Sequence, residues 1–587
     1  MKALIGWGSR ALAFSATLAI AGLLPWFSSV SAERAILRAR YADREATDEA
    51  LAAIRAELGL DRGPWHIMMD WFAGVLHGDL GTSWVSHAPV AEGIFAALAV
   101  SLTLMGLALL VALCCCIGLC LPVLRRGLNG TVRAGSGAAA TALTALPEFV
   151  LAMLLMLIFA IWLGWFPPFG WESLHHAVLP ALALGIPAGG LMGKLLSDSL
   201  AATLAERWVA TWQRAGYRPV SVALAALRRA TAPLVGQLAL VVIGLTGGAV
   251  AVEQTFAIPG LGRLMLGAAS AQDVPALQAS LLVLLLLAAL LGTAAALVRW
   301  LILGPAVRAG NVPISGLAGV STRRDLLLPG GCLALLAVIV LCALPRDPFA
   351  SAHPRLAAPS LLLPFGADAS GRDLLARVGH GALLTLALAL LVVAICLVLG
   401  IVLGSFPRLS IGPLEVANAA PPIIAGLLVA TIFGPSVPGA VIAVSAVGWA
   451  PLAAHTSALL HEFSAQAHIR MLPLLGLNRA QIYFRHLLPQ LLGPLLKHAL
   501  LRLPGLALTL ASLGYLGLGP KPPTAELGLI LAEGLNYLER APWAVAAPAG
   551  VLVLLSILAV TAGALRLPRR SPRTRRGHAL DAVTSHG

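Results

Sequence analysis

The fold class this sequence predicts is an all-α polytopic membrane protein, with about twelve spans arranged as two six-span halves. Three observations predict it: an apolar composition, basic residues gathered in short loops, and a polar segment that occurs once in each half. Of the 587 residues, 59% are hydrophobic and 11% charged, with mean hydropathy +0.88. Soluble globular chains run at roughly 45–50% and about 25%. Apolar windows long enough to cross a bilayer lie near 9–30, 94–123, 137–165, 177–197, 233–254 and 279–303, then 327–345, 381–405, 413–434, 436–459, 493–516 and 544–565.

The formal charge of +14 invites a polynucleotide partner, but its distribution argues otherwise. Arg125, Arg126 and Arg133 follow the second window, Arg207 to Arg229 the fourth, and Arg308, Arg323 and Arg324 lie between the halves. The chain closes with RLPRRSPRTRR. Basic residues mark cytoplasmic loops, so these segments and both termini are placed inside, and no nucleic acid is expected. Ser31 to Glu92 is acidic overall and belongs outside. Lys2 and Arg10 precede the first window as in a signal peptide, but no clear small-residue cleavage site follows, and an uncleaved first span is expected. All 7 cysteines fall in apolar stretches; Cys114, Cys115 and Cys116 point in different directions on a helix and read as packing residues, not metal ligands.

The polar segment of the second half is SAQAHIRMLPLLGLNRAQIYFRHLLPQ, Ser464 to Gln490. Gly476 can end a helix, Asn478 can cap the next, and IYFRHLLP offers apolar and basic faces at a membrane surface. About 260 residues earlier stands WVATWQRAGYRPVSVALAALRRATAPLV, with Gly216 in the place of Gly476 and Arg229 in that of Pro489; so long a period means two related halves, not a solenoid. This segment resembles the cytoplasmic coupling loop of ABC-importer permeases, which docks in a groove of the ATPase subunit and transmits its motion. The resemblance assigns coupling to Arg214, Gly216 and Arg229 in the first loop, and to Gly476, Arg485, His486 and Pro489 in the second. Both loops depart from the family pattern. Trp212, Gln213 and Arg214 replace a small-residue and basic run, Ala225 and Ala226 stand where the second loop has Arg485 and His486, and Pro473 interrupts the equivalent helix.

Other motifs carry the same resemblance. LGLD, then Trp, then GDLGTSW over Leu58 to Trp84 is similar to the first external segment of permeases in the dipeptide, oligopeptide and nickel branch. GGAVAVEQTFAIPGLGRLM, Gly247 to Met265, matches that branch's first-type subunit. Glu253 lies in its apolar run, and Pro259 and Gly260 must break the helix near the outer face, where only protein or water can satisfy the backbone. PFGADASGRDLLARV, Pro364 to Val378, and SLGYLGLGPKPPTAELGLILAEGLNYLERAPW, Ser512 to Trp543, resemble the second-type subunit; Asp368, Arg372 and Asp373 are expected to form external ion pairs of little individual worth. Glu148, beside Pro147 in the third window, either faces the pathway or sits near the cytoplasmic end. With Glu148, Glu253, Pro259 and Gly260 are the candidate pathway or outer-vestibule residues. His175 and His176 have no third donor at ligand spacing and read as solvated or hydrogen-bonded.

GIPAGGLMGKLL around Gly193 and Lys194 lacks the hydroxyl residue of a phosphate loop, so the chain is expected to hold no cofactor and to be no enzyme. The resemblance implies a type I ABC-importer fold with both subunit types fused. Partners would be two ABC ATPase subunits, non-identical because the loops differ, and an extracytoplasmic solute-binding protein. The location would be the bacterial inner membrane and the cargo a peptide, nickel or a metallophore. The expected organisation is a permease domain over 1–303, a cytoplasmic linker over 304–326, a second permease domain over 327–566 and a basic tail over 567–587. A secondary transporter driven by an ion gradient is the alternative; it calls for buried acids as ion sites, but apart from Glu148 and Glu253 the acids lie mostly in loops, which disfavours it.

Reporters fused after Arg126, Gly310 and Arg576 should score cytoplasmic and those after Glu49 or Ala358 external. An external Gly310 would reject the two-half topology.

Overall fold

The computed structural model describes residue 12 and residues 14–28, 31–41, 45–131, 137–308, 326–419 and 422–564. Most of the linker and the basic tail lie outside them. Among the described residues, β structure is limited to two isolated bridges, Thr82 with Pro89 and Ala367 with Asp373. Seven helices among the described residues are long and apolar enough to span a membrane, and shorter apolar helices Glu148–Trp162, Leu327–Ala343 and Pro422–Phe433 fill three further expected places. The first half contains α1 (Ala32–Arg40), α2 (Asp48–Glu57), α3 (Pro64–Leu76), α4 (Val90–Leu128), α5 (Gly137–Thr144), α6 (Glu148–Leu155), α7 (Leu174–Leu204), α8 (Arg207–Arg214), α9 (Pro219–Thr231), α10 (Val235–Thr255), α11 (Leu261–Ser270) and α12 (Val274–Arg308). The second continues with α13 (Leu327–Ala343), α14 (Leu374–Gly404), α15 (Pro407–Ala419), α16 (Pro422–Phe433), α17 (Val437–Gly448), α18 (Ala450–Ser464), α19 (Ala467–Met471), α20 (Arg479–Ile482), α21 (Leu488–Tyr515), α22 (Leu527–Leu535) and α23 (Trp543–Ala564).

Close helix packing in a bilayer relies on small residues, because lipid is as apolar as leucine. In the first half Gly185, Gly189 and Gly193 recur every fourth residue on α7, where a Cβ would collide with Ala108, Ala112 and Leu119 of α4. The second half makes the same contact between its second and fourth spans with the glycines on the other partner. Gly400 and Gly404 of α14 lie against Leu452, Ala453 and Thr456 of α18. Cys116 and Cys396 are buried in these two contacts and pack as small apolar residues.

Each half also breaks its chain at the outer side, before the last span, to insert a short helix, α11 or α22. The first break includes Ala257 at φ 53 and an extended Gly260. Glu253, at the end of α10, repairs it. Its Oε2 accepts from the N–H of Arg263 at 3.0 Å, and its Oε1 accepts from Ser101 of α4 at 2.6 Å, while Ser101 accepts from the N–H of Leu261 at 2.8 Å. A side chain at Gly260 would occupy the place of that carboxyl group. In the second half Glu526 caps α22 from its N-cap position. Its Oε2 accepts from Leu529 N–H at 2.9 Å, and Thr385 of α14 donates to Oε1 at 3.3 Å. Here the glycine is on the spanning helix: Gly514 of α21 leaves room for the Glu526 carboxyl.

Charges on the outer surface hold the first external segments in place. Asp273, after α11, accepts from the N–H of Trp84 at 3.0 Å and from the Ser83 hydroxyl, which fixes the GDLGTSW motif. In the second half Asp368, Arg372 and Asp373 are buried, not the exposed ion pairs expected. Asp368 binds Arg372 and Arg377, Glu533 joins both arginines, and Asp373 caps α14 while pairing with Arg346. The small worth of surface pairs therefore does not apply, since removing one partner would leave a buried charge uncompensated. Burial opposes ionisation of Asp368, yet the Arg372 N–H and the Arg377 and Arg372 guanidiniums outweigh it and hold the carboxyl below its usual range. That contribution to stability is present at neutral pH and fades as the pH falls through the lowered value.

The halves meet along α6, α10 and α21. The Thr255 and Tyr515 hydroxyls hydrogen-bond at 2.8 Å, and Phe149 stacks on Tyr515 with centroids 5.7 Å apart. Ser28 donates to the Thr431 carbonyl at 2.8 Å farther along the same seam.

Ser101→Ala should lower the apparent melting temperature of the solubilised chain, because it strands Glu253 Oε1 and the Leu261 N–H, a loss of about 1–3 kcal/mol. Thr385→Ala removes only the longer contact to Glu526 and should cost less. Equal melting of Ser101→Ala and the parent in a tryptophan-fluorescence scan would contradict the role assigned to this cap.

Candidate functional site

The first coupling-loop candidate is α8, a turn and α9. α8 ends because Gly216 adopts the left-handed conformation at φ +79, with its N–H donated to Gln213 O at 3.1 Å and that of Tyr217 to Trp212 O at 3.1 Å. Val209, Val222 and Ala226 are buried and hold the loop to the spanning helices. Trp212 meets Trp208 edge-on at 5.2 Å and stacks on Tyr217 at 4.8 Å, so the bulky residue is used within the loop. Gln213 donates to Leu128 O, at the C-terminal end of α4, at 2.9 Å. Arg229 pairs with Glu206 at 2.9 Å on the surface. Arg214 is exposed and has no charged partner among the described residues.

The second loop is built differently. α19 stops at Met471, and Leu472–Leu475, which contains Pro473, tightens into a 3₁₀ turn before Gly476 at φ +81. Asn478 and Gln481 form the reciprocal capping box that starts α20. A π-helical turn, Tyr483–Leu487, then leads into α21, where Pro489 lies in the first turn. Ile469, Ile482 and Leu487 form a small buried cluster beneath the loop. Tyr483 hydrogen-bonds Ser405, the C-cap of α14, at 2.6 Å. Arg485 and Pro489 are exposed, His486 is half-buried, and Met471, Leu474, Leu475 and Phe484 stand out from the surface. The first loop stacks its aromatic residues on one another while leaving Tyr217, Val220 and Leu224 exposed, and the second presents Met471, Leu474, Leu475 and Phe484.

Glu148, Glu253, Pro259 and Gly260 fall in two places. Glu253, Pro259 and Gly260 meet at the outer break, with the Glu253 side chain fully enclosed. Glu148 begins α6, and its carboxyl group lies over Gly248 of α10. Gly248, Ala251 and Thr255 share one face of α10, and Ala251 and Thr255 are packed at the seam between the halves. Among the described residues Glu148 has no hydrogen-bond or ion-pair partner. His175 stacks on Phe166 at 4.8 Å, and His176 bonds the Ser173 hydroxyl at 3.1 Å.

Residue-by-residue reading missed Ser101, Thr385, Glu526, Arg377 and Asp273. Ser101 and Thr385 are single small residues on long apolar helices and carry no local signal. Glu526 precedes the run LGLIL and could have been read as a cap, although glutamate is not a preferred N-cap type.

A model of the family described as binding-protein-dependent transport system inner membrane components matches residues 115–303 and again 387–571. The glutathione transport system permease protein GsiC of Pectobacterium atrosepticum is 36% identical over 244 residues, which is 41% of this chain and 79% of that protein. The di/tripeptide transport system permease protein DppC of Pseudomonas aeruginosa is 35% identical over 252 residues, 39% of this chain and 82% of its own length. With two matches to one family model in a single polypeptide, and all-helical halves that repeat the same packing, the chain belongs to the binding-protein-dependent inner membrane components as a fused permease of the dipeptide and oligopeptide type.

Proposed function

We propose that this chain forms the whole transmembrane pathway of an importer for small peptides. Separate ATPase subunits would drive it and an extracytoplasmic solute-binding protein would load it. The observation that carries the reading is the pair of glycine-turned loops, each hydrogen-bonded to the end of its own half's second span. The names of the relatives favour peptide or glutathione-like cargo over nickel or a metallophore. Both termini are cytoplasmic in this reading, and the domains are 1–303 and 327–566, joined by 304–326, with the tail over 567–587. Glu148 faces the solute, while Glu253, Pro259 and Gly260 support the outer wall. The two ATPase chains differ, or are unlike halves of one chain, because a groove shaped for Leu474, Leu475 and Phe484 would fit the Trp212–Tyr217 stack poorly. ATP-driven closure beneath the loops shifts an equilibrium between outward- and inward-open states.

Purified alone, the chain should hydrolyse no ATP, and uptake into proteoliposomes should require co-reconstituted ATPase subunits and binding protein. Gradient-driven uptake by the chain alone would establish the secondary-transporter alternative instead.

Gly476→Val and Gly216→Val each force a β-branched residue to positive φ, with a strain of about 1–3 kcal/mol, while the new Cβ itself meets no atom. In the assembled complex both should reduce uptake severalfold more than they reduce ATP hydrolysis. Unchanged uptake and hydrolysis in both variants would make the loops passive connections.

A further inference from the structure

Helix α3 (Pro64–Leu76) has three faces, and the rest of the chain covers only one of them. On that face Met68 and Trp71 are buried, and Val75 is partly buried beside them. Trp71 sits against Gly81, where a Cβ would lie 3.8 Å from its ring and 3.5 Å from Pro275, in the first turn of α12. The carbonyl of Gly81 in turn accepts from the N–H of Val90, which opens α4, at 3.0 Å. α3 is therefore level with the ends of two spanning helices.

The second face is polar. His66 is exposed, and Asp70 pairs with Arg62, just before the helix, at 3.0 Å, with side chains 59% and 62% exposed. The third face is apolar and bare. Trp65 is 66% exposed, Met69 63% and Leu76 87%, and Phe72 is half-buried between them. Residues three and four apart fall on one side of a helix, so these four make a single stripe. A contiguous exposed stripe of this kind marks a contact with protein or membrane.

The surroundings favour the membrane. Phe95, near the start of α4, is 59% exposed. Gln272, just before α12, donates to Ser28 at 2.7 Å, so Phe27 ends the first apolar window at the same level, and it is 63% exposed. Spanning helices meet lipid there, and the stripe continues that apolar surface. His66 and Asp70 follow Trp65 and Met69 by one residue, about 100° around the helix. A helix lying flat can thus hold its stripe in lipid, its polar face in water and its third face against the protein. Among the described residues the indole N–H of Trp65 has no partner, and such a ring suits the headgroup level. A stable protein partner would need about 800 Å² from this side, more than one narrow stripe supplies.

We propose that α3 is an interfacial helix whose Trp65, Met69, Phe72 and Leu76 stripe binds the lipid surface at the headgroup and upper acyl level. In the topology read from the charges this is the outer leaflet. Seated there, α3 holds the GDLGTSW segment at a fixed depth, since Trp71 donates to the Leu80 carbonyl at 3.2 Å.

The test uses the full chain in nanodiscs of phosphatidylethanolamine and phosphatidylglycerol, which present both faces and make the result independent of orientation. Met69→Cys and His66→Cys are treated with a membrane-impermeant maleimide. All 7 native cysteines lie in apolar stretches, and the parent chain measures their background. Both positions are exposed in the chain itself, so a difference in rate reports what covers them. Met69→Cys should react at least tenfold more slowly than His66→Cys, and the two should react equally after unfolding in sodium dodecyl sulfate. A bimane attached at position 69 should be quenched by lipid bearing a nitroxide near the top of its acyl chain, and one at position 66 much less. Leu76→Cys repeats both measurements if Met69→Cys is not monodisperse. Equal labelling rates in the bilayer overturn the proposal. Slow labelling without quenching also overturns it, because the stripe is then covered by a second copy of the chain. Uptake is not the readout, so failure here leaves the importer reading standing.

Discussion

The constraint on which the rest of this structure depends is the need to break a helix at the outer edge of a bilayer without leaving backbone groups bare. Each half interrupts its chain between its last two spans, and there hydrocarbon offers no hydrogen bonds. A glutamate resolves the problem twice. Glu253 reaches the N–H of Arg263, and Glu526 reaches the N–H of Leu529, each steadied by a hydroxyl from the second span of its half. With that cap in place α11 and α22 can turn the chain into the last span, and the seam between the halves can close through Thr255 and Tyr515.

The two halves conserve contacts more faithfully than residues. At the outer break the first half puts the carboxylate on the spanning helix and the glycine on the short one, as Glu253 with Gly260. The second half reverses them, as Gly514 with Glu526. The packing of the second on the fourth span is reversed in the same way, with Gly185, Gly189 and Gly193 on the fourth span in one half and Gly400 and Gly404 on the second span in the other. A close approach needs a small residue at the crossing and does not dictate which helix supplies it. Residue-by-residue comparison therefore finds a worn repeat where the geometry is well kept.

The same physics explains what could be read from the sequence. Spans were legible because twenty apolar residues have few other uses, and the described spanning helices fall at the expected places. The loop turns were legible because Gly216, Gly476 and Asn478 act through local backbone geometry, and each sits where its residue type predicts. Arg377 was not, since its role comes from Glu533, 156 residues away, and no local pattern encodes that meeting. The exposure of Asp368 and Arg372 was misjudged for the same reason: charged residues in an outer loop read as solvated until Glu533 of α22, distant in sequence, packs against Arg372.

The second span of each half connects the two faces of the membrane mechanically. α4 carries Ser101 toward its outer end, bonded to the Glu253 cap, and Leu128 at its inner end, bonded to Gln213 of the first loop. α14 carries Thr385 beside Glu526 and Ser405 beside Tyr483 of the second loop. At about 1.5 Å per residue these rods hold each loop some 30–40 Å from its outer cap. A loop displaced from below must therefore move the helix, and with it the outer break, or give up one hydrogen bond. The two halves differ in how firmly that choice is set. Gln213 joins α4 through a main-chain carbonyl of the helix itself, and its loop is stiffened by the Trp208, Trp212 and Tyr217 stack. Tyr483 joins α14 through the rotatable hydroxyl of Ser405, from within a π-helical turn. A displacement of the first loop is thus passed to its rod more directly than one of the second, although both loops carry exposed apolar side chains.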